Sequence, residues 1–234
     1  MIEYFVYFFQ LLLVCGAFFI SFTLLKQNKK YLGNQLLSIS LGLVGIYSFF
    51  IFIYKALDSA SLLQISIRIG FSALIFSVFL LYCTLQVLIH SSMIIKTQFI
   101  KLLVFFLIGL TISILLFVFD WISVENDDIT TMDYDMPVFI AFAGYIAIML
   151  IYSLISLYLF GIRKNSGKSK RYMWFFFIGI VFMLLGLVTE GLGSAFEGLQ
   201  GLFDMLLFVC LSIGVIFMAL SLLRKKNQVD LVSK

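Results

Sequence analysis

Residues 174–223 read WFFFIGIVFMLLGLVTEGLGSAFEGLQGLFDMLLFVCLSIGVIFMALSLL. Two long apolar runs flank an interval, 189–204, that carries three acids at seven-residue spacing: Glu190, Glu197 and Asp204. A helix needs about 20 apolar residues to cross roughly 30 Å of hydrocarbon. The runs Tyr172–Thr189 and Met205–Leu223 nearly reach that length before an acid is met. The stretch therefore reads as two membrane helices joined at a water-facing rim. Placing the acids at mid-membrane instead would cost at least about 2.5–3.5 kcal/mol each.

The same pattern repeats along the chain. Of 234 residues, 63% are hydrophobic and 12% charged, with a mean hydropathy of +1.14; soluble domains carry about 25% charged residues. Seven segments are long and apolar enough to cross, giving expected helices over approximately 4–25, 35–54, 62–90, 100–119, 137–162, 172–190 and 203–223. A β-barrel would show short alternating strands instead of unbroken runs. The expectation is an all-α integral membrane protein, one seven-helix bundle spanning residues 1–234. The first segment lacks a basic start and a small-residue cleavage site, so it reads as a retained helix.

Charge sets the expected orientation. Fourteen of the 16 basic residues fall in KQNKK after the first segment, at Lys96 and Lys101, in RKNSGKSKR after the fifth, and beyond the seventh. That side holds one acid, Asp230, and the opposite side holds the other 11 with Lys55 and Arg68. The positive-inside rule puts the basic side in the cytoplasm, the N-terminus outside and the C-terminus inside. A multi-pass protein of the cell membrane is expected. Trp121 and Trp174 fall at predicted boundaries, where indoles settle.

Candidate sites follow from depth. Arg68, Glu190, Glu197 and Asp204 share the outer mouth, where a guanidinium and several carboxylates could receive a ligand. Glycines at 191, 193, 198 and 201 suit a tight connection between the last two helices. In the outer loop, Asp127, Asp128, Asp133 and Asp135 could offer oxygens to a hard cation, although the spacing is not that of an EF-hand and a solvated acidic loop is the simpler reading. The basic loop 163–171 presents Arg163, Lys164, Lys168, Lys170 and Arg171, with Gly167 and Ser169 between the lysines, to a partner or to anionic headgroups. Polar helix residues, among them Gln10, Ser38, Ser40, Thr84, Gln86, Thr111 and Ser113, read mainly as interhelical glue, and Ser38/Gly42 and Ala143/Ala147 as close contacts.

Much chemistry is excluded. One histidine, His90, cannot supply a multi-histidine metal site or H-E-x-x-H. The last two helices hold no lysine for a retinal Schiff base, and neither G-x-S-x-G nor a nucleotide loop occurs. Cys15, Cys83 and Cys210 lie within apolar segments and read as packing residues. No enzyme, cofactor or nucleic-acid partner is expected; the bilayer is the surrounding medium.

Two pieces carry a resemblance: a third helix with a lone arginine near its start, ISIRIGFSALIFSVFLLYCTLQVLI, and a basic loop entering an aromatic, glycine-bearing helix, LFGIRKNSGKSKRYMWFFFIGIVFMLLG. The chain resembles the seven-helix N-terminal sensor region of membrane histidine kinases. That resemblance implies reception of a small ligand or membrane signal and transmission through the last helix. No phosphoacceptor helix or ATP domain follows Leu223 in this sequence, so the output is expected to be a separate cytoplasmic effector. The resulting expectation is a non-enzymatic sensor. The alternatives are a small transporter with a path near Gln64, Arg68, Thr84 and Gln86, or a subunit of a larger membrane complex.

Overall fold

The computed structural model describes residues 2–27, 29–56, 60–119, 122–124, 132–134, 136–195 and 199–223, with side chains for 4–27, 29–53, 64–119, 137–193, 199 and 201–221. Among these residues, seven helices are long and apolar enough to cross a membrane. They are α1 (Ile2–Gln27), α2 (Leu32–Ala56), α3 (Ala60–His90), α5 (Phe99–Val118), α6 (Met136–Ser156), α7 (Gly167–Ala195) and α8 (Gln200–Leu223); a single turn, α4 (Ile94–Thr97), links α3 to α5. Leu157–Ile162 prolongs α6 as a π-helical segment, in which Arg163 N–H donates to the Tyr158 carbonyl at 3.0 Å. This is a multi-pass membrane fold.

Side-chain contacts fix the directions of the helices. Ser21 meets Ser38 and Ser40 meets Ser77, so α1, α2 and α3 alternate. Arg68 reaches Phe117, and Tyr82 lies against Phe105, so α5 runs opposite to α3. Phe71 stacks on Phe142 and Tyr82 packs on Tyr152, so α6 runs parallel to α3. Gly179 faces Gly214 across α7 and α8, again antiparallel. One end of the bundle thus gathers Lys26, Lys29, Lys30, Lys96, Lys101, Arg163, Lys164, Lys168, Lys170 and Arg171, and the opposite end gathers Arg68, Glu190 and Asp204. These are the basic and acidic ends below.

The neighbours of α1 are α2 and α8; α3 touches α2, α5 and α6; α6 leads to α7, and α7 to α8. The core runs through this ring: Leu13 and Leu24 of α1, Leu37 and Leu41 of α2, Ile75 and Tyr82 of α3, Phe176 and Ile180 of α7, and Phe208 and Met218 of α8. Most of α5 and one flank of α1 carry exposed Phe, Leu and Ile, the surface a lipid solvent calls for.

Apolarity stops before helicity does, and this accounts for the main departures from the sequence expectation. α7 continues five residues past the expected end at 190, and begins at Gly167 (φ 63°) instead of 172. A helix satisfies its own backbone whether its surroundings are lipid, headgroup or water, so hydropathy underestimates its length. Lys168, Lys170 and Arg171 therefore lie on the first turns of α7, and only residues 163–166 connect it to the π segment. At the acidic end, the 120–135 stretch contains a small antiparallel pairing, Ile122–Val124 with Met132–Tyr134, in which Ser123 opposes Asp133.

Candidate functional site

Glu190 and Asp204 stand within helices. Glu190 lies five residues before the end of α7 and Asp204 four residues after the start of α8. Gly191, Gly193 and Gly201 are helical too. The Gly179–Gly214 contact sets the antiparallel register and brings Glu190 level with Phe203 and Asp204. A Cβ on Gly193 would stand 3.1 Å from Phe203 Cβ, so the two helices stay close up to the turn. Glu197 lies outside the described residues.

Arg68 is half-buried on α3. Its Nη1 donates to the Phe117 carbonyl at 3.2 Å and its Nη2 to the Phe119 carbonyl at 3.4 Å. These are among the last carbonyls of α5, which have no partner further along their own helix. The arginine thus caps a neighbouring helix, a role that its position in the sequence did not disclose.

Beneath the acidic end is a chamber of about 30 Å³ between α2, α3, α6, α7 and α8. Its lining is apolar except for Glu190 and the Tyr47 hydroxyl: Leu74 and Val78 come from α3, Leu150 from α6, Met183 from α7 and Leu211 from α8. One wall is a stack of three rings. Tyr47 and Phe71 have centroids 6.2 Å apart at 25°, and Phe71 and Phe142 are 4.5 Å apart at 19°. From α7, Glu190 joins Met183 and Leu187 in the lining. Space of this size admits about two water-sized groups. An ionisable residue on a membrane cavity marks a functional site by default. Of Arg68, Glu190 and Asp204, the described residues expected at the mouth, Glu190 alone lines the chamber.

Towards the basic end several large side chains are buried. Tyr82 and Leu85 are fully buried, as is Phe176. The Thr84 hydroxyl donates to Leu80 of its own helix at 2.8 Å, and Gln86 is buried. A second ring cluster occupies this half. Tyr82, Phe105 and Tyr152 pack on one another, with Lys101 Nζ 4.4 Å from the Tyr152 ring centre and donating to its hydroxyl at 2.5 Å. His90 is exposed, 5.8 Å from the Phe160 ring, and Lys164 sits over that ring at 4.9 Å.

The remaining sequence candidates divide simply. Asp127, Asp128 and Asp135 lie outside the described residues, and for Asp133 only the backbone pairing is described. No group of three metal-ligating side chains occurs among the described residues. Ser38 and Ser40 do join helices, Gly42 approaches the Ser21 hydroxyl, and Ala143 and Ala147 are only half-buried. Cys83 is buried as expected for packing, whereas Cys15 is exposed on α1. Gln10 is fully buried, and neither its amide nitrogen nor its oxygen has a hydrogen-bond partner. Nothing in the sequence marks the Tyr47–Phe71–Phe142 stack, because aromatic residues occur throughout these helices.

The geometry defines a multi-pass, seven-helix membrane protein with a small chamber that Glu190 helps to line. No protein-family model matches the chain, and no curated protein matches it in sequence.

Proposed function

We propose that this protein is a non-enzymatic receptor of the cell membrane, acidic end outward. A small ligand entering from the acidic end occupies the chamber, and the altered packing of α7 and α8 is read at the basic end by a separate cytoplasmic partner. The observation carrying this reading is the chamber among five helices with Glu190 in its lining. Its occupancy bears on the mutual packing of those helices. Continuous helices also favour reception over transport, since transporter sites are typically built from broken ones. The π segment supports a signalling role, because such segments inside helices are frequent at functional positions. The clustered cations at the basic end suit an acidic partner surface or anionic lipid.

The test is purification of the full chain from native membranes through a C-terminal tag, with mass spectrometry of what remains bound. A stoichiometric soluble effector, lost when Arg163, Lys164, Lys168, Lys170 and Arg171 are changed together to Gln, is the expected result. Retention of only membrane subunits, or solute flux by the pure protein in liposomes, would overturn it.

A further inference from the structure

We infer that Lys101, Tyr152 and Tyr82 form a site for the phosphate of a membrane lipid, at the seam between α3, α5 and α6. The site lies towards the basic end, apart from the chamber, and does not depend on the receptor reading. Lys101 is the third residue of the apolar span Phe99–Val118. A lysine at such a position ordinarily extends its ammonium towards the headgroups. This one is held among rings: its Nζ is 4.4 Å from the centre of Tyr152, 5.9 Å from Phe105 and 6.0 Å from Tyr82. The local hydrogen bonds leave donors over. Lys101 gives one N–H to the Tyr152 hydroxyl at 2.5 Å, and an ammonium has three. The Tyr152 oxygen accepts in that bond, so its own proton is available to another group. The Tyr82 ring is fully buried against Tyr152 and Phe105, with centroids 5.6 and 5.7 Å away. Its hydroxyl finds no hydrogen-bond partner among the described residues. A buried hydroxyl left in that state calls for a bound group to satisfy it.

The missing group is an acceptor that carries negative charge. Among residues with described side chains, the carboxylates are Glu190 and Asp204, both at the opposite end of the bundle. The start of α5 adds to the demand, since Gln98 supplies no side-chain cap and the open N–H end of a helix favours an anion. A lipid phosphate meets these terms. Lys101 and Tyr152 are only partly buried, and basic pockets between membrane helices hold anionic headgroups. On the same two helices, Val104, Ile108, Ile148 and Ile155 expose apolar surface along which acyl chains can lie. An acidic protein segment would have to enter the membrane span to reach Lys101.

The experiment is native mass spectrometry of the purified full-length protein in detergent, titrated with phosphatidylglycerol, with diacylglycerol of the same chains, or with inorganic phosphate. Wild type is compared with Lys101→Gln, Tyr82→Phe, Tyr152→Phe and Lys164→Gln, the last removing a cation of the same end that rests on Phe160. Phosphatidylglycerol is expected to bind about tenfold or more tightly than diacylglycerol. Its affinity should fall about tenfold or more in Lys101→Gln and about two- to tenfold in each tyrosine variant, and hold in Lys164→Gln. Tyr82→Phe should lose this affinity yet unfold at the wild-type temperature or above in lipid-free detergent, a pairing that a purely structural hydroxyl would not give. Should Lys101→Gln fail to fold, the two tyrosine variants decide. Binding of inorganic phosphate with the same dependence on Lys101 and Tyr82, and none of the lipid, would overturn the lipid as its source while leaving the oxyanion site. Equal affinity for the two lipids, or an equal loss in Lys164→Gln, would overturn the site itself.

Discussion

The α1–α2–α3 side of the bundle and the α7–α8 hairpin bring their helices together by contrasting means. Between α1 and α2, the Ser21 and Ser38 hydroxyls each donate to the other's carbonyl at 2.7 Å. Between α2 and α3, Ser40 and Ser77 do the same at 2.8 and 2.9 Å. Each pair is a reciprocal clasp of two hydroxyls and two carbonyls. Across α7 and α8 the approach depends on side chains that are missing: a Cβ on Gly179 would lie 2.9 Å from the Gly214 carbonyl oxygen, and one on Gly214 2.9 Å from the Gly179 oxygen. Lipid offers no hydrophobic drive for helices to associate, so both seams must rely on close packing and polar contacts. A serine clasp can lose a hydroxyl and still close. A backbone-to-backbone contact cannot accept an added atom.

That contrast can be broken by substitution. The largest effect is expected for Gly179→Leu, where the new side chain meets Met218 and the backbone of α8; we expect a loss of about 3 kcal/mol or more in detergent-denaturation stability. Gly214→Ala should cost about 1–3 kcal/mol, and near-wild-type stability in both variants would show that the hairpin can simply separate. Ser40→Ala and Ser77→Ala should each cost about 1 kcal/mol, with a coupling of roughly 0.6–1.7 kcal/mol in the double-mutant cycle. Additive losses there would mean that the two hydroxyls act independently. The half-buried clasp at Ser21 and Ser38 should give a smaller coupling, below about 0.6 kcal/mol. Gln10→Leu sharpens the comparison from the other direction. Its buried amide is unpartnered, so removing it should leave stability unchanged or raise it by up to about 1 kcal/mol. A clear loss would reveal a polar partner for that amide in the membrane.

The seven spans were legible because hydrocarbon thickness imposes a length that sequence composition displays directly. The segregation of charge was legible for the same reason, since each loop carries its own sign. Ser38 and Ser40 were recognisable as interhelical residues. Their partners, Ser21 and Ser77, were not, because pairing depends on helix rotation and a uniformly apolar helix has no amphipathic stripe to reveal it. Glu190 illustrates the same limit. Hydropathy ends near Thr189, the helix does not, and that additional length turns a loop acid into a chamber wall. Arg68 was placed with Glu190 and Asp204 at the outer mouth; that two of its donors also serve carbonyls at the end of α5 is visible only in three dimensions. The stack of Tyr47, Phe71 and Phe142 combines single rings from three helices in a chain with 28 phenylalanines. Nothing in their spacing sets these rings apart.

Helix α5 has few helical neighbours, yet a cation secures each of its ends. Lys101, in its first turn, rests on the rings of Tyr82, Phe105 and Tyr152, and Arg68 holds the carbonyls of Phe117 and Phe119 at the other end. Midway, the Tyr145 hydroxyl donates to the Phe105 carbonyl at 3.0 Å, and Gly109 leaves the room that Tyr145 and Ile75 occupy. Mechanically, this is a beam fixed at both supports. Sliding of α5 along the membrane normal would therefore have to break a cationic contact at each end.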